Sequence, residues 1–222
     1  MFVPWVVPPA ARRGPLAAAL RAAWVATAIA GGTADAARAQ GGEPPLAPFA
    51  AQRLSVMPVQ LLRADTTSPL RPAEWPTARR EIDDSIGTAL SERGLGRKWA
   101  YAAEIDRLAR RNASYVSDPY ALGASGLRGR ALKPDEPAPP VLVNNLRSLV
   151  ALGDSRFALV PAELSFEGHG ADARAVLRVV LVDGRAGTVL FAIDVVVPAG
   201  PRFDASHIGG LAQRVADLVI AR

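Results

Sequence analysis

From residue 53 onward the apolar positions switch between two periods, four and two, and the switches mark out the elements. Arg53 to Leu62 (RLSVMPVQLL) is an apolar run of strand character, with Pro58 predicting an edge position or a bulge near its end. Ile82, Ile86 and Leu90 recur every fourth residue and predict a helix over Thr77 to Arg93, with Thr77 as N-cap and Gly94 as its stop. Arg97 to Tyr101 reads as a short strand carrying Trp99. A second helix, Ala102 to Arg111, turns Ile105, Leu108 and Ala109 inward, and Asn112 ends it.

Residues 113–140 are rich in Gly, Pro and Asp and read as an irregular segment with an exposed loop at Lys133 to Pro140. A third helix starts at Pro139 or Pro140 and runs to Leu152. The last third alternates with a period of two. Arg156 to Glu167, Arg174 to Asp183 and Thr188 to Val197 are strands, and the Gly184-Arg185-Ala186-Gly187 linker makes the last two an antiparallel hairpin. Ser206 to Ala221 closes the chain as a helix with Ile208, Leu211, Val215, Leu218 and Val219 on one face. The order is β-α-β-α, irregular, α-β-β-β-α. An α/β (α+β) domain follows, with a single mixed β-sheet flanked by helices, because each helix has one apolar stripe to bury. Residues 53–222 suffice for one domain around a single core; a chain of this size buries about 70% of its unfolded surface.

The first thirty-nine residues have a different pattern. Arg12 and Arg13 precede an apolar stretch, Ala22 to Ala30, and Ala37-Arg38-Ala39 offers a small-x-small cleavage site before Gln40. This reads as a signal peptide over 1–39, followed by a flexible Gly/Pro-rich lead-in over 40–52. The paired arginines leave the general and twin-arginine export routes both open. Nine or so apolar residues fall short of the roughly 20 that span a bilayer, so the expectation is a periplasmic or secreted bacterial protein with no membrane insertion after cleavage. Removing the leader takes four Arg and one Asp, which lowers the formal charge from +5 to +2. That balance, with charges of alternating sign along the helices, argues against a nucleic-acid partner. The chain has no Cys, which excludes disulfides, a thiol nucleophile, thiolate metal sites and lipid attachment through Cys.

Catalytic groups are scarce. The only histidines are His169, in a Glu167-Gly-His-Gly-Ala-Asp172 turn, and His207, at the start of the last helix. One imidazole with two loop acids is an incomplete metal site. Gly123-Ala124-Ser125-Gly126 is one residue short of a nucleophile elbow, and Ser155 follows a helix where an esterase serine would follow a strand. Asp83 and Asp84 point about 100° apart on their helix, cannot share a proton and are expected to face solvent. The expectation is no cofactor, no metal and no enzyme, with a serine hydrolase built on Ser125 or Ser155 and His169 as a rival. The side chains suited to binding are Trp99, Tyr101, Asn112, Tyr115, Asp118 and Tyr120, which gather aromatic and polar groups within about twenty positions. Core filling by Trp99 and Tyr101 is the competing explanation.

Leu181-Val182-Asp183, the Gly184 to Gly187 turn and Thr188-Val189-Leu190-Phe191 together resemble the L-V-D-x-x-T-G-x-V-L-W hairpin of exported bacterial envelope proteins. These include the curli-secretion lipoprotein family and the amino-terminal domain of TolB. Val56-Met57-Pro58-Val59 with a helix ending at Gly94 is similar to their opening pattern. The resemblance implies a mixed sheet flanked by helices and a role in protein–protein or envelope-assembly contacts. Phe191 stands where those proteins have Trp, and no lipid-bearing Cys or membrane-entering hairpin is present. The functional expectation is therefore a non-enzymatic exported domain with an envelope protein partner. A small-molecule or envelope-polymer binder using Trp99, Tyr101 and Tyr115 is the alternative; it predicts an apolar pocket lined by those rings.

Overall fold

The computed structural model describes residues 43–63 and 68–221. The export signal read over 1–39 and the first residues of the lead-in lie outside the described residues. Ten elements carry the fold: β1 (Leu54–Val56), β2 (Leu61–Arg63), α1 (Trp75–Leu90), β3 (Trp99–Ala100), α2 (Ala102–Arg111), α3 (Pro140–Leu152), β4 (Phe157–Glu167), β5 (Arg174–Asp183), β6 (Thr188–Pro198) and α4 (Ala205–Asp217). The sheet is mixed, in the order β3-β1-β4-β5-β6, with β2 beside β4. β1 and β2 run parallel to β4, while β4, β5 and β6 are antiparallel neighbours. The α/β class, the mixed sheet and the C-terminal hairpin are as the pattern predicts. No described helix is long and apolar enough to cross a membrane.

Helices cover both faces of the sheet, which splits the single expected core in two. On one face Ile82, Ile86 and Leu90 of α1 and Leu211 and Val215 of α4 pack on Leu177, Val179, Leu181 and Val195. On the other, Ile105 of α2 and Leu142, Leu146 and Leu149 of α3 pack on Ala158, Val160, Val180 and Val182. Alternate residues of β5 thus enter opposite cores, and a strand buried on both sides reads as a continuous apolar run.

The first predicted strand is two pieces. β1 pairs with Phe157 to Leu159 and β2 with Glu163 to Ser165, and Met57 to Gln60 bridge them irregularly. Met57 N–H still donates to Leu159 O and Gln60 N–H to Pro161 O, at 2.8 and 2.9 Å. Pro58 has no N–H to give, so the break falls there. The bulge expectation therefore holds. The edge expectation applies only to β2, since β1 lies between β3 and β4.

α1 begins two residues earlier than expected, at Trp75 with Glu74 as its N-cap and Pro76 in its first turn; Thr77 lies inside it. It ends through a wider turn at Gly94, whose φ of 81° is the left-handed conformation that glycine adopts at least cost. Arg93, in that turn, reaches α4: its Nη2 lies 2.6 Å from Asp217 Oδ1 and 3.2 Å from Gln213 Oε1. α4 starts at Ala205 under a reciprocal cap, with Asp204 accepting from the N–H of Ser206 (3.0 Å) and His207 (3.4 Å).

Candidate functional site

The broken strand leaves backbone groups that no ladder satisfies, and two buried side chains take them up. Val59 N–H donates to Asp83 Oδ1 at 2.8 Å. Gln60 donates from Nε2 to Pro58 O (2.7 Å) and Pro119 O (2.9 Å), and its Oε1 accepts from Leu122 N–H (3.0 Å). α1 and the 118–122 turn are thereby clamped onto the same four-residue break. Between them, and against α2, lies a cleft of about 780 Å³.

α1 gives this cleft Arg80, Asp83 and Asp84; α2 gives Ala103, Asp106, Arg107 and Arg110; the turn gives Asp118 and Tyr120. Asp106 and Arg110 pair with each other, one helical turn apart. Asp118 accepts from Tyr120 N–H at 2.9 Å, which fixes the turn. Tyr120 in turn lies under the Arg79 guanidinium, 4.3 Å from its ring centroid. An adjoining cleft of about 560 Å³ shares Asp83, Asp84 and Ala103 and adds Tyr101, Ser91 and Glu92.

Asp83 is the unusual group. The expectation that it faces solvent is wrong: only 6% of it is exposed, and its Oδ2 has no hydrogen-bond partner among the described residues. Burial pushes its carboxyl up to about 7, against the opposing pull of the Val59 N–H and Arg79. The sequence did carry a signal for this. Residues 79, 82, 83, 86 and 90 share one arc of a helix, so Asp83 falls within the apolar stripe.

The expected binding residues are dispersed. Asp118 and Tyr120 meet in the larger cleft, and burial raises the Tyr120 hydroxyl. Tyr101 lines the smaller cleft with its buried hydroxyl unpartnered among the described residues, and burial pushes it up to about 12. Trp99 is 2% exposed and packs in the core on the α1–α4 face. Asn112 ends α2, its Nδ2 donating to Leu108 O at 2.9 Å. Tyr115, 84% exposed, follows in the next turn. Trp99 and Tyr115 line neither cleft, and the larger cleft is lined mostly by charge, so the apolar pocket required by the small-molecule alternative is not what these rings form.

The hydrolase rival fares no better on geometry. Ser155 is buried and bonded to Ser55 Oγ (2.8 Å) and Val150 O (3.3 Å). His207 Nδ1 lies 2.8 Å from Asp204 Oδ1 in the helix cap, and His169 stands on an exposed turn. No serine–histidine hydrogen bond occurs among the described residues, and among them no group of three or more His, Asp or Glu could hold a metal ion. The Asp183 turn, in contrast, is held by its own bonds. Its Oδ1 accepts from the N–H of Arg185 and Ala186, both at 2.9 Å, and its Oδ2 lies 2.6 Å from Arg156 Nη2. Burial alone would raise this carboxyl, but those bonds outweigh it and hold Asp183 below the ordinary carboxylate range.

No protein-family model matches the chain, and no curated protein does. Solved structures do. A PelC dodecamer from Paraburkholderia phytofirmans is 13% identical at a TM-score of 0.36, covering 77% of this chain and 89% of that one. The LpoB C-terminal domain from Salmonella enterica is 11% identical at 0.35, covering 74% and 91%. Lipoprotein GNA1162 from Neisseria meningitidis is 16% identical at 0.34, covering 74% and 93%. These are bacterial proteins, but not the curli-secretion or TolB proteins that the hairpin motif resembles. The likeness is one of outline, and no function is carried over from it.

Proposed function

We propose that this is a non-catalytic exported domain that docks a partner protein of the bacterial cell envelope, using the cleft between α1, α2 and the 118–120 turn as its contact face. The observation that carries this reading is the charged cleft built over the buried Asp83 carboxyl. Its wall interleaves Asp84 and Asp118 with Arg80 and Arg107. Such a mosaic orients a complementary protein surface and rejects mismatched ones more than it adds raw affinity. Asp118 and Tyr120 are the sequence-derived binding residues that this face includes, and Tyr101 lines the cleft adjoining it.

The test is pull-down from an envelope fraction with the tagged chain and with an Asp84→Ala/Arg107→Ala/Asp118→Ala variant of unchanged circular dichroism. A partner retained by the parent and lost by the variant is the expected result. Equal recovery by both would move the contact face elsewhere. Turnover of ester or glycan substrates by the purified chain would overturn the non-catalytic reading.

A further inference from the structure

The sheet ends on β6, and most of that edge is unpaired. Residues 135–138 strap its beginning: Val189 N–H donates to Glu136 O, Asp135 N–H to Val189 O and Ala138 N–H to Gly187 O, at 2.8, 2.8 and 2.9 Å. Beyond Val189 no described backbone bonds the outer side. The phase of the ladder is fixed at the other end, where Ala199 N–H donates to Ala173 O at 2.8 Å, one rung past the Arg174–Pro198 pair. Hydrogen-bonded and open pairs alternate in an antiparallel ladder. Ile193, Val195 and Val197 therefore turn their backbone groups towards β5, while Ala192, Asp194 and Val196 point theirs out of the sheet. The edge also lacks the usual protections of repeated charge or internal proline. Asp194 is its one charged residue from Thr188 to Pro198, and it is bonded to Arg178 at 2.9 Å on the neighbouring strand.

We propose that β6 pairs antiparallel with β6 of a second copy of this chain, joining two sheets into one across a two-fold axis at Val195. A second copy fits because the edge is self-complementary in this register. Centring the axis on Asp194 would set two carboxylates directly opposite, which is unfavourable. Centring it on Ile193 would drive Val197 of the second copy into the space beside Val189 that the 135–138 strap occupies. Centring it on Val195 places each Asp194 opposite a Val196 and each Ala192 opposite a Pro198. Only Pro201 of the second copy then comes level with the strap, after its strand has ended. This interface is remote in sequence from the cleft residues and stands independently of the docking proposal.

The chain has no native cysteine, so one introduced thiol can form only one disulfide between copies. In an antiparallel sheet an open pair has Cα atoms about 4.5 Å apart, within disulfide reach. Val195→Cys is therefore expected to give a covalent dimer under mild oxidation, whereas Arg185→Cys, on the exposed hairpin turn, is not. Sedimentation of the purified parent chain should show a concentration-dependent dimer. Val196→Pro, which removes an outward N–H and leaves the β5 ladder intact, should weaken dimerisation at least about tenfold. A parent chain that sediments as a monomer up to high micromolar concentration overturns the proposal. So does equal cross-linking at residues 185 and 195, whichever other segment or peptide then covers the edge. Should Val196→Pro lose its circular dichroism, the parent sedimentation and the cysteine pair still decide.

Discussion

The hairpin of β5 and β6 and the broken strand of β1 and β2 solve the same problem in opposite ways. In the hairpin the backbone satisfies itself along ten paired positions, and one residue, Asp183, organises the turn through neighbours two and three positions away. In the broken strand Pro58 interrupts the ladder; Val59 N–H is met by Asp83 from 24 positions away and Pro58 O by Gln60, whose amide also reaches 59 and 62 positions on to Pro119 and Leu122. The first region is local, and its one open side is the outer edge of β6. The second depends on buried polar groups, one of which keeps an oxygen unpartnered among the described residues, and it is there that the fold opens into a cleft. Regular pairing makes scaffold, and the exception to it makes the cleft.

The sharpest way to break this contrast is pH. The folded state raises Asp83 from 3.8 to about 7, so the native chain binds the proton more tightly than the unfolded one. Stability from this group is fully present below about pH 4, falls as pH rises to about 7, and is flat above it. The fall is at most about 4 kcal/mol, from 1.36 kcal/mol per unit. Denaturant melts of the parent from pH 4 to 8 should show that slope, and Asp83→Asn should lose it. A parent with the same slope as the variant would place the titration elsewhere. Gln60→Ala comes next: three buried partners lose their bond together, for a cost of about 3 kcal/mol at pH 7. Hydrogen exchange should locate the loosening at Leu122 rather than in the hairpin. The smallest effect belongs to the local region. Asp183→Ala removes the turn acceptors and the Arg156 pair and should cost about 2 kcal/mol. The loss should appear mainly below the melting transition as faster exchange at Arg185 and Ala186. If Asp183→Ala costs more than Gln60→Ala, the hairpin, and not the break, is the sensitive point of the fold.

What could be read beforehand follows the same division. α2 and β5 have the bounds their patterns predict, and β4, β6 and α3 agree to within a residue, because each is specified by its own periodicity and its own Gly, Pro or Asp punctuation. Gly94 stops α1 as expected. Asp83 departs from the expected solvated face because it lies on the arc of Ile82, Ile86 and Leu90, whereas Asp84 beside it is exposed. Trp99 and Tyr115, within about twenty positions of each other, diverge to core and solvent because Trp99 packs inward from the edge strand β3 and residue 115 follows the end of a helix. Their separation could not be seen from spacing alone.

The sequence by itself determined the order of the elements, the hairpin and the stop of α1 at Gly94, since these rest on interactions spanning a few residues, though α4, expected to run to Ala221, ends at Asp217. Only the tertiary structure decided that the sheet would be covered on both faces, that β1 would lie inside it, and that Asp83 would serve a strand break far from it in the chain while Gln60 tied that break to the distant 118–122 turn. Those outcomes depend on which unsatisfied backbone group meets which buried side chain, and that is settled when the layers pack.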